Sequence, residues 1–483
     1  MGSVGETHIM SKKSDTAPLS FVEKVGYGLG DMASNFYMGF FGIFLLYYYT
    51  DVWGIHPGHA AFMFLITKII DAISDPAMGL ISDRTNTRWG KYRPYLIWAA
   101  IPYALLGYLL FLGPDLSAHG RIVYAYVTYS LVMLAYTAIN VPYSALLAVI
   151  HPLTEERTKA TQYRFVFASL GSLVVGATTK PLVEWLGQGN EVTGFRLTII
   201  LFAILSVLLF AITFATTKER IKPPKHDSSI RDDFGVLLKN VSWIVLAITG
   251  ILIVVGLVGR IASTAFYTKY YMVSGDEKSL WWMDRTSLII TCGFVGQMFG
   301  ALLTPTFLKF VDKHKLMILM ALLHAVLLAA GYFLSPDQYI LTLLLYSAGI
   351  STFGVMITLL FAMYTDCAQY GEWMSGKNSA GLTISASMFS LKTGSAIGSA
   401  IPAAILATFG FVANEVQTDA SIQGIRLMFH VVPAVFYLLA GLLMLAYQID
   451  RETLKKIESD LRERRANLKR RDNRVSGKPL ATP

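Results

Sequence analysis

Residues 68–94 read KIIDAISDPAMGLISDRTNTRWGKYRP, and this stretch decides the fold. Two carboxylates, Asp71 and Asp75, stand inside an apolar run that breaks off into a polar loop crowded with positive charge. Four residues apart, they share one face of a helix, and Lys68, three residues before Asp71, lies near that face. The run from Ala60 to Ile81 is long enough to cross a bilayer, where each buried charge costs about 2.5 to 3.5 kcal/mol on insertion scales. A soluble core or an inert salt bridge is the bland alternative, but one lysine on this helix cannot neutralise both acids. An ionisable group facing a membrane interior is a functional-site hypothesis by default, and the task that suits a carboxylate pair is holding a cation.

Working outward, composition agrees with a lipid-facing chain. Of 483 residues, 54% are hydrophobic and only 15% charged, and the mean hydropathy is +0.50. The fold class is therefore an all-α polytopic membrane protein. Cys292 and Cys367 lie far apart without metal-ligand spacing, so neither a disulfide framework nor a zinc site is implied. A net charge of +9 raises nucleic acid as a partner, but the basic residues are confined to certain loops and the tail, the mark of membrane topology. No H-E-x-x-H, G-x-S-x-G or G-x-x-x-x-G-K-[ST] occurs, which argues against a membrane-embedded enzyme and an ATP-driven pump. Neither loop nor tail is large enough to carry a signalling module.

Hydropathy predicts twelve spans, at 25–49, 60–81, 95–112, 122–149, 163–186, 195–217, 243–271, 286–310, 316–334, 339–364, 380–409 and 425–448. Lys and Arg concentrate after the even-numbered spans, as in Arg84, Arg88, Lys91 and Arg93, then Lys218 to Lys225, then Lys377. The alternate loops carry one or two, such as Arg121 and Arg196, so both termini are expected in the cytoplasm. The opening MGSVGETHIM looks like an appended leader ahead of a natural start at Met10. The expected organisation is leader and N-terminus 1–23, six-helix bundle 24–217, linker 218–241, six-helix bundle 242–449 and basic tail 450–483. An acid followed by a base recurs after spans two and eight, in GLISDRTNTR and FVDKHK, as a parallel six-helix repeat would have it.

The G-x-x-x-D-R of Gly79 to Arg84 resembles the inner-loop signature of the major facilitator superfamily. RWGKYRP at 88–94 is more specific and is similar to the glycoside-pentoside-hexuronide:cation symporters, the group of the melibiose permeases and glucuronide carriers. YYYTD at 47–51, DAISDP at 71–76 and QYGEW at 369–373 agree with it. The resemblance implies the major facilitator fold and symport of a sugar with Na⁺ or H⁺ across a bacterial cytoplasmic membrane, by a monomer with no cofactor beyond the coupling ion. A lipid carrier or an antiporter on the same scaffold is the rival reading.

By local motif the resemblance makes Asp71, Asp75 and Thr137 the cation site, and it sets Lys392, in SLKTGSA, close to both the cation and the sugar. Carboxylates with a hydroxyl are hard oxygen ligands for Na⁺, and their mutual repulsion would otherwise invite a proton. Where melibiose-type permeases place acids for the sugar hydroxyls, this chain has Asn35 and Asn140. The expected substrate contacts are Asp31, Asn35, Tyr136, Asn140, Arg164 and Lys392, with Lys180 and Arg260 placed near the same cavity. Neutral amides beside basic groups favour an anionic, glucuronide-like sugar, since a guanidinium holds a carboxylate in bidentate fashion; a neutral glycoside or pentoside is the alternative, with the basic groups as interhelical partners. Asp31 either faces the cavity or pairs with a basic loop residue, Arg164 either binds substrate or snorkels, and Lys180 lies either near the cavity or near the outer surface. Asp83, Arg84, Arg88 and Arg93 are expected to gate the inner side through salt bridges, the alternative being charges that only set topology.

Overall fold

Caps and prolines set where the helices begin. In this computed structural model, residues 18–151, 154–220, 237–272, 283–376, 380–457, 459–461 and 463–464 are described. Helix α1, Phe21–Phe40, opens on a capping box between Ser20 and Glu23 and winds on through π-helical turns at Phe41–Leu45 and Tyr48–Val52. Helix α2, Pro57–Arg84, starts on a proline whose missing N–H costs nothing there, capped by His56. A short turn, Tyr95–Trp98, precedes α3, Ala100–Leu110. Then follow α4 Ala118–Ile150, α5 Thr154–Gly187 and α6 Glu191–Thr216. After them come α7 Val241–Tyr271, whose last turn is π-helical, α8 Arg285–Phe307, α9 Lys313–Tyr332, α10 Tyr339–Ser375, α11 Ala380–Thr408 and α12 Asp419–Ala446. Ser117, Asn190, Asn240, Asp284 and Thr418 each accept a first-turn N–H as caps of α4, α6, α7, α8 and α12.

Among the described residues nine helices, α4 to α12, are long and apolar enough to cross a membrane. Of the other three predicted spans, the described apolar stretches Pro57–Thr67 of α2 and Tyr95–Leu110, which takes in α3, are shorter than a crossing needs. Two helices overrun their predicted spans, α5 starting at Thr154 and α10 ending at Ser375. Hydropathy reports the lipid-facing stretch, whereas backbone hydrogen bonding carries a helix past it. The predicted leader through residue 17, most of the linker (221–236), Lys377 and the tail from 465 lie outside the described residues, as does the Lys68 side chain.

Helix α1 packs on α5 and α6, α2 on α4, α8 on α10, and α7 on α11 and α12. Small residues let backbones meet: a Cβ on Gly300 of α8 would stand 1.8 Å from the Ser351 carbonyl oxygen of α10. The earlier and later parts of the chain are joined by α2 with α11, by α5 with α8 and by the π turn Phe41–Leu45 with α7. The buried apolar core is not evenly shared between those parts. At the end of the bundle that holds Asp51, one continuous cluster takes in Tyr48, Phe111 and Phe195 together with Phe266, Tyr346 and Phe429. Val245, Met317, Met356, Leu360 and Tyr437 form a separate cluster belonging to α7, α9, α10 and α12.

Candidate cation and substrate site

The DAISDP turn carries Asp75 immediately before Pro76, which removes one backbone donor from α2 beside the carboxylate. Thr137 of α4 donates to Asp75 Oδ1 at 3.0 Å, and the Lys392 ammonium of α11 pairs with Asp75 Oδ2. The pair is part-buried, the side chains 25% and 40% exposed for Asp75 and Lys392. One turn away on α2, Asp71 is buried. Structure thus brings together three of the predicted residues, Asp75, Thr137 and Lys392, with Asp71 on the adjoining turn. Among the described residues no group of three or more His, Cys, Asp or Glu is arranged to hold a metal ion. Two carboxylates and a hydroxyl suit a weakly held monovalent cation or a proton instead.

Asp31 is neither in a loop pair nor free in the cavity: its carboxylate meets Arg164 Nε of α5 at 3.2 Å, and the guanidinium lies 5.0 Å from the Tyr143 ring centroid. The Tyr136 ring of α4 lies 6.1 Å from that of Tyr103. Asn35 donates to the Asp31 carbonyl at 2.8 Å and accepts from Ser172 at 3.2 Å. Asn140, one turn beyond Tyr136, is half-buried. A cavity of about 320 Å³ lies between α1, α2, α4 and α5 on one side and α7, α8 and α11 on the other. Its polar lining is Asn35, Ser172, Gln297, Ser395 and Ser399, with Tyr129 among its rings.

Of the predicted substrate contacts only Asn35 lines that cavity. The basic residues expected near it are engaged elsewhere. Lys180 pairs with Glu191 at 3.3 Å and sits over the Tyr47 ring. Arg260 is buried inside the later helices, 4.4 Å from the Tyr346 ring centroid and 5.0 Å from that of Phe429. For Lys180 this fits the outer-surface alternative, and for Arg260 a span alone does not say which way a helix face turns.

The four loop residues predicted as gates make their contacts inside the earlier helices. Asp83 accepts from the Tyr92 hydroxyl at 2.7 Å, and burial together with that contact pushes the Tyr92 phenol up from its ordinary value. Glu219 accepts from the backbone N–H groups of Lys91, Tyr92 and Arg93, and Arg93 donates to the Phe214 carbonyl at 2.6 Å. The Arg88 guanidinium lies over Trp89 next to it, and Arg84 ends α2 as a basic last-turn residue.

Sequence reasoning missed the opposite end. There Asp51 pairs with Lys269 at 2.9 Å and accepts from the Tyr270 hydroxyl, while Asn414 donates to the Asp51 carbonyl at 2.6 Å. Lys269 also donates to Asn414 and to the Tyr47 hydroxyl, at 2.8 and 3.2 Å. A signal existed: an acid in YYYTD at the end of α1 and a lysine in YTKYY at the end of α7 occupy corresponding places, and both are π-helical turns.

A family model described as MFS/sugar transport protein matches residues 26–451. The chain is 32% identical over 431 residues, 89% of its own length and 92% of the relative's, to the inner membrane symporter YicJ of Escherichia coli (strain K12). It is 31% identical over 452 residues, 92% of its length and 96% of the relative's, to the glucuronide carrier protein homolog of the same organism. In fold it is similar to a crystal structure of a D-xylose-proton symporter, with a TM-score of 0.62 at 12% identity over 89% of this chain and 97% of that one. The chain therefore belongs to the MFS/sugar transport protein family and, within it, to the glycoside-pentoside-hexuronide:cation symporters, as a multi-pass transporter of the bacterial cytoplasmic membrane and not an enzyme.

Proposed function

We propose that the chain carries a sugar, glycoside or hexuronide together with Na⁺ or H⁺, and that Lys392 stands in for the cation at Asp75 when none is bound. The observation that carries this is the Asp75–Lys392 pair, which joins α2 to α11 with Thr137 on the remaining carboxylate oxygen. An isolated carboxylate in a low-dielectric interior is costly, and an internal ammonium neutralises it. A cation or proton arriving at Asp71 and Asp75 makes that ammonium redundant and releases α11 from α2. Because cation and sugar bias one conformational equilibrium, each raises affinity for the other by the same factor.

The frame for this is twelve crossings in two six-helix bundles, 24–217 and 242–449, joined by the linker 218–241, with both termini cytoplasmic and the monomer as the working unit. In that frame the end sealed by Asp51, Lys269 and Asn414 is the outer one, and the described conformation is closed to the outside. Asp83, Arg84, Arg88 and Arg93 then belong to the inner side, where they brace the first bundle and meet the second only in the outward-facing state. Alternating access is the exchange of these two closures around a fixed central site.

The test is ion-driven accumulation in proteoliposomes. Asp75→Asn removes the charge while keeping the shape, so it is expected to fold, to exchange sugar at equilibrium and to lose uphill uptake. Full uphill uptake by that variant refutes the assignment.

A further inference from the structure

Inside the bundle Arg164, Lys180, Lys269 and Lys392 each meet a carboxylate, those of Asp31, Glu191, Asp51 and Asp75 in turn. Arg260 of α7 does not. It is 2% exposed, and among the described residues neither its Nε nor its Nη1 has a hydrogen-bond partner and no carboxylate is paired with it. A guanidinium keeps its proton and accepts no hydrogen bond, so burial leaves a charge that something else must answer. The rings of Tyr346 and Phe429, centred 4.4 and 5.0 Å from the guanidinium carbon, attract that charge. They offer its N–H groups no lone pair. The group also stands apart from the transport site: Leu257, Val258 and Ile261 of α7 line the central cavity, and Arg260 is not part of that lining.

A second buried nitrogen borders the same space. His324 of α9 is fully buried, and its Nε2 likewise has no hydrogen-bond partner among the described residues. A Cβ on Gly349 of α10 would stand 3.2 Å from Arg260 Nη1 and 3.3 Å from His324 Nε2, so the two nitrogens close on one spot that glycine leaves open. The Thr352 hydroxyl stands 2.8 Å from His324 Nδ1 and 2.7 Å from the Gly349 carbonyl oxygen, and it can turn its proton to either. Turned to Nδ1, it leaves the ring proton on Nε2, which then joins the guanidinium as a donor. Tyr437 stacks on the imidazole at 3.9 Å between centroids and holds its plane.

We infer that this spot binds a single halide ion such as chloride, held by Arg260 and His324 beside Gly349. A space of the size of one carbon atom excludes carboxylate and phosphate groups, and a charge-assisted hydrogen bond gains strength where water is shut out. The ion supplies the counter-charge that no side chain supplies, and it ties α7, α9 and α10 together from within the later helices. The inference is independent of which sugar or cation the protein carries.

Thermal unfolding of the purified full-length protein tests this, with gluconate replaced by chloride or bromide at constant ionic strength. Either halide is expected to raise the melting temperature along a saturating curve, by about 3 °C or more at saturation. Gly349→Ala puts a methyl group into the spot and suits a helix better than glycine does. That variant is expected to melt cooperatively in gluconate and to lose the halide-dependent rise, as is Arg260→Met. A flat response in the parent overturns the inference, and so does a rise that Gly349→Ala keeps, since the halide then acts elsewhere. Anomalous diffraction from bromide-soaked crystals decides the matter without a variant. A bromide peak beside Arg260, His324 and Gly349 is the expected result, and an ordered water there with no bromide overturns the inference.

Discussion

The two ends of the bundle are built on different principles. At the Asp51 end, helices from the earlier and later parts of the chain share one apolar core and are pinned by a polar cluster in which Lys269, Tyr270 and Asn414 all address Asp51. At the Asp83 end each part satisfies its own polar groups: Glu219 and Asp83 tie the loop 85–94 to the first helices. On the other side Lys313 pairs with Asp366 at 2.6 Å, and Trp373 is tied to Asp460 and Arg464. One end is an interface, the other is two finished surfaces. The difference teaches that a chain with loop charges at both ends need not gate with both at once. Charge that binds across the gap differs from charge that braces one side, and only partner identity distinguishes them.

Breaking the sealed end should have the largest effect. Asp51→Asn removes the carboxylate paired with Lys269 there, whose side chain is 32% exposed while that of Asp51 is fully buried. Discounted for solvent on the lysine, the loss is about 2 kcal/mol, which shifts the balance between closed and open about thirtyfold. Pulsed spin-label distances across that end should lengthen in the variant; an unchanged distribution would show that the apolar core alone holds the closure.

Disturbing the braced end should weaken one side without moving the other. Gly90 adopts φ +110, and a Cβ there would come within 2.4 Å of Glu219 Oε1. Glu219 is anchored by three loop N–H groups, so Gly90→Ala combines backbone strain with displacement of that carboxylate, about 2 kcal/mol in all. Thermal unfolding should show the loss while the spin-label distances at the Asp51 end stay put. A variant that opened the sealed end would contradict the separation.

The smallest effect is a pH dependence at the same braced end. Lys159 donates to Glu156 at 2.8 Å, and that contact, with the Leu19 N–H and Lys24, holds the carboxyl down from 4.5 to about 2. A depressed folded pKa contributes stability that is complete above 4.5 and drains away as pH falls toward about 2. After screening this is about 1 kcal/mol, so Glu156→Gln should melt roughly 2 °C lower than the parent at neutral pH. The gap should narrow as pH falls through that window. A constant gap would mean the charge plays no part.

Much of this was legible in the sequence because the bilayer makes some residues conspicuous. Asp71 and Asp75 stand out since an apolar run has no other use for acids, and hydropathy finds α4 to α12 for the same reason. What the sequence hides is pairing over distance. Asp75 and Lys392 lie 317 positions apart, and Asp51 and Lys269 218 apart. No periodicity connects such residues. Arg164 and Lys180 could be assigned to the cavity by span but not to Asp31 and Glu191, because the rotation of α5 about its axis is set by packing on α1 and α8. The π-helical turns at Tyr48–Val52 and Tyr267–Tyr271, which aim Asp51 and Lys269 at each other, follow from tertiary contact and have no local signature.

Between the two ends sits the proposal on which the rest depends, that an ammonium from α11 occupies the place of the coupling ion. Calorimetric titration of Na⁺, and of H⁺ through pH-dye release, into the purified Lys392→Ala protein measures this most directly. With its internal competitor gone, the site should bind the coupling ion about tenfold or more tightly than the parent. An affinity equal to or weaker than that of the parent would show that Lys392 helps to hold the cation and does not compete with it.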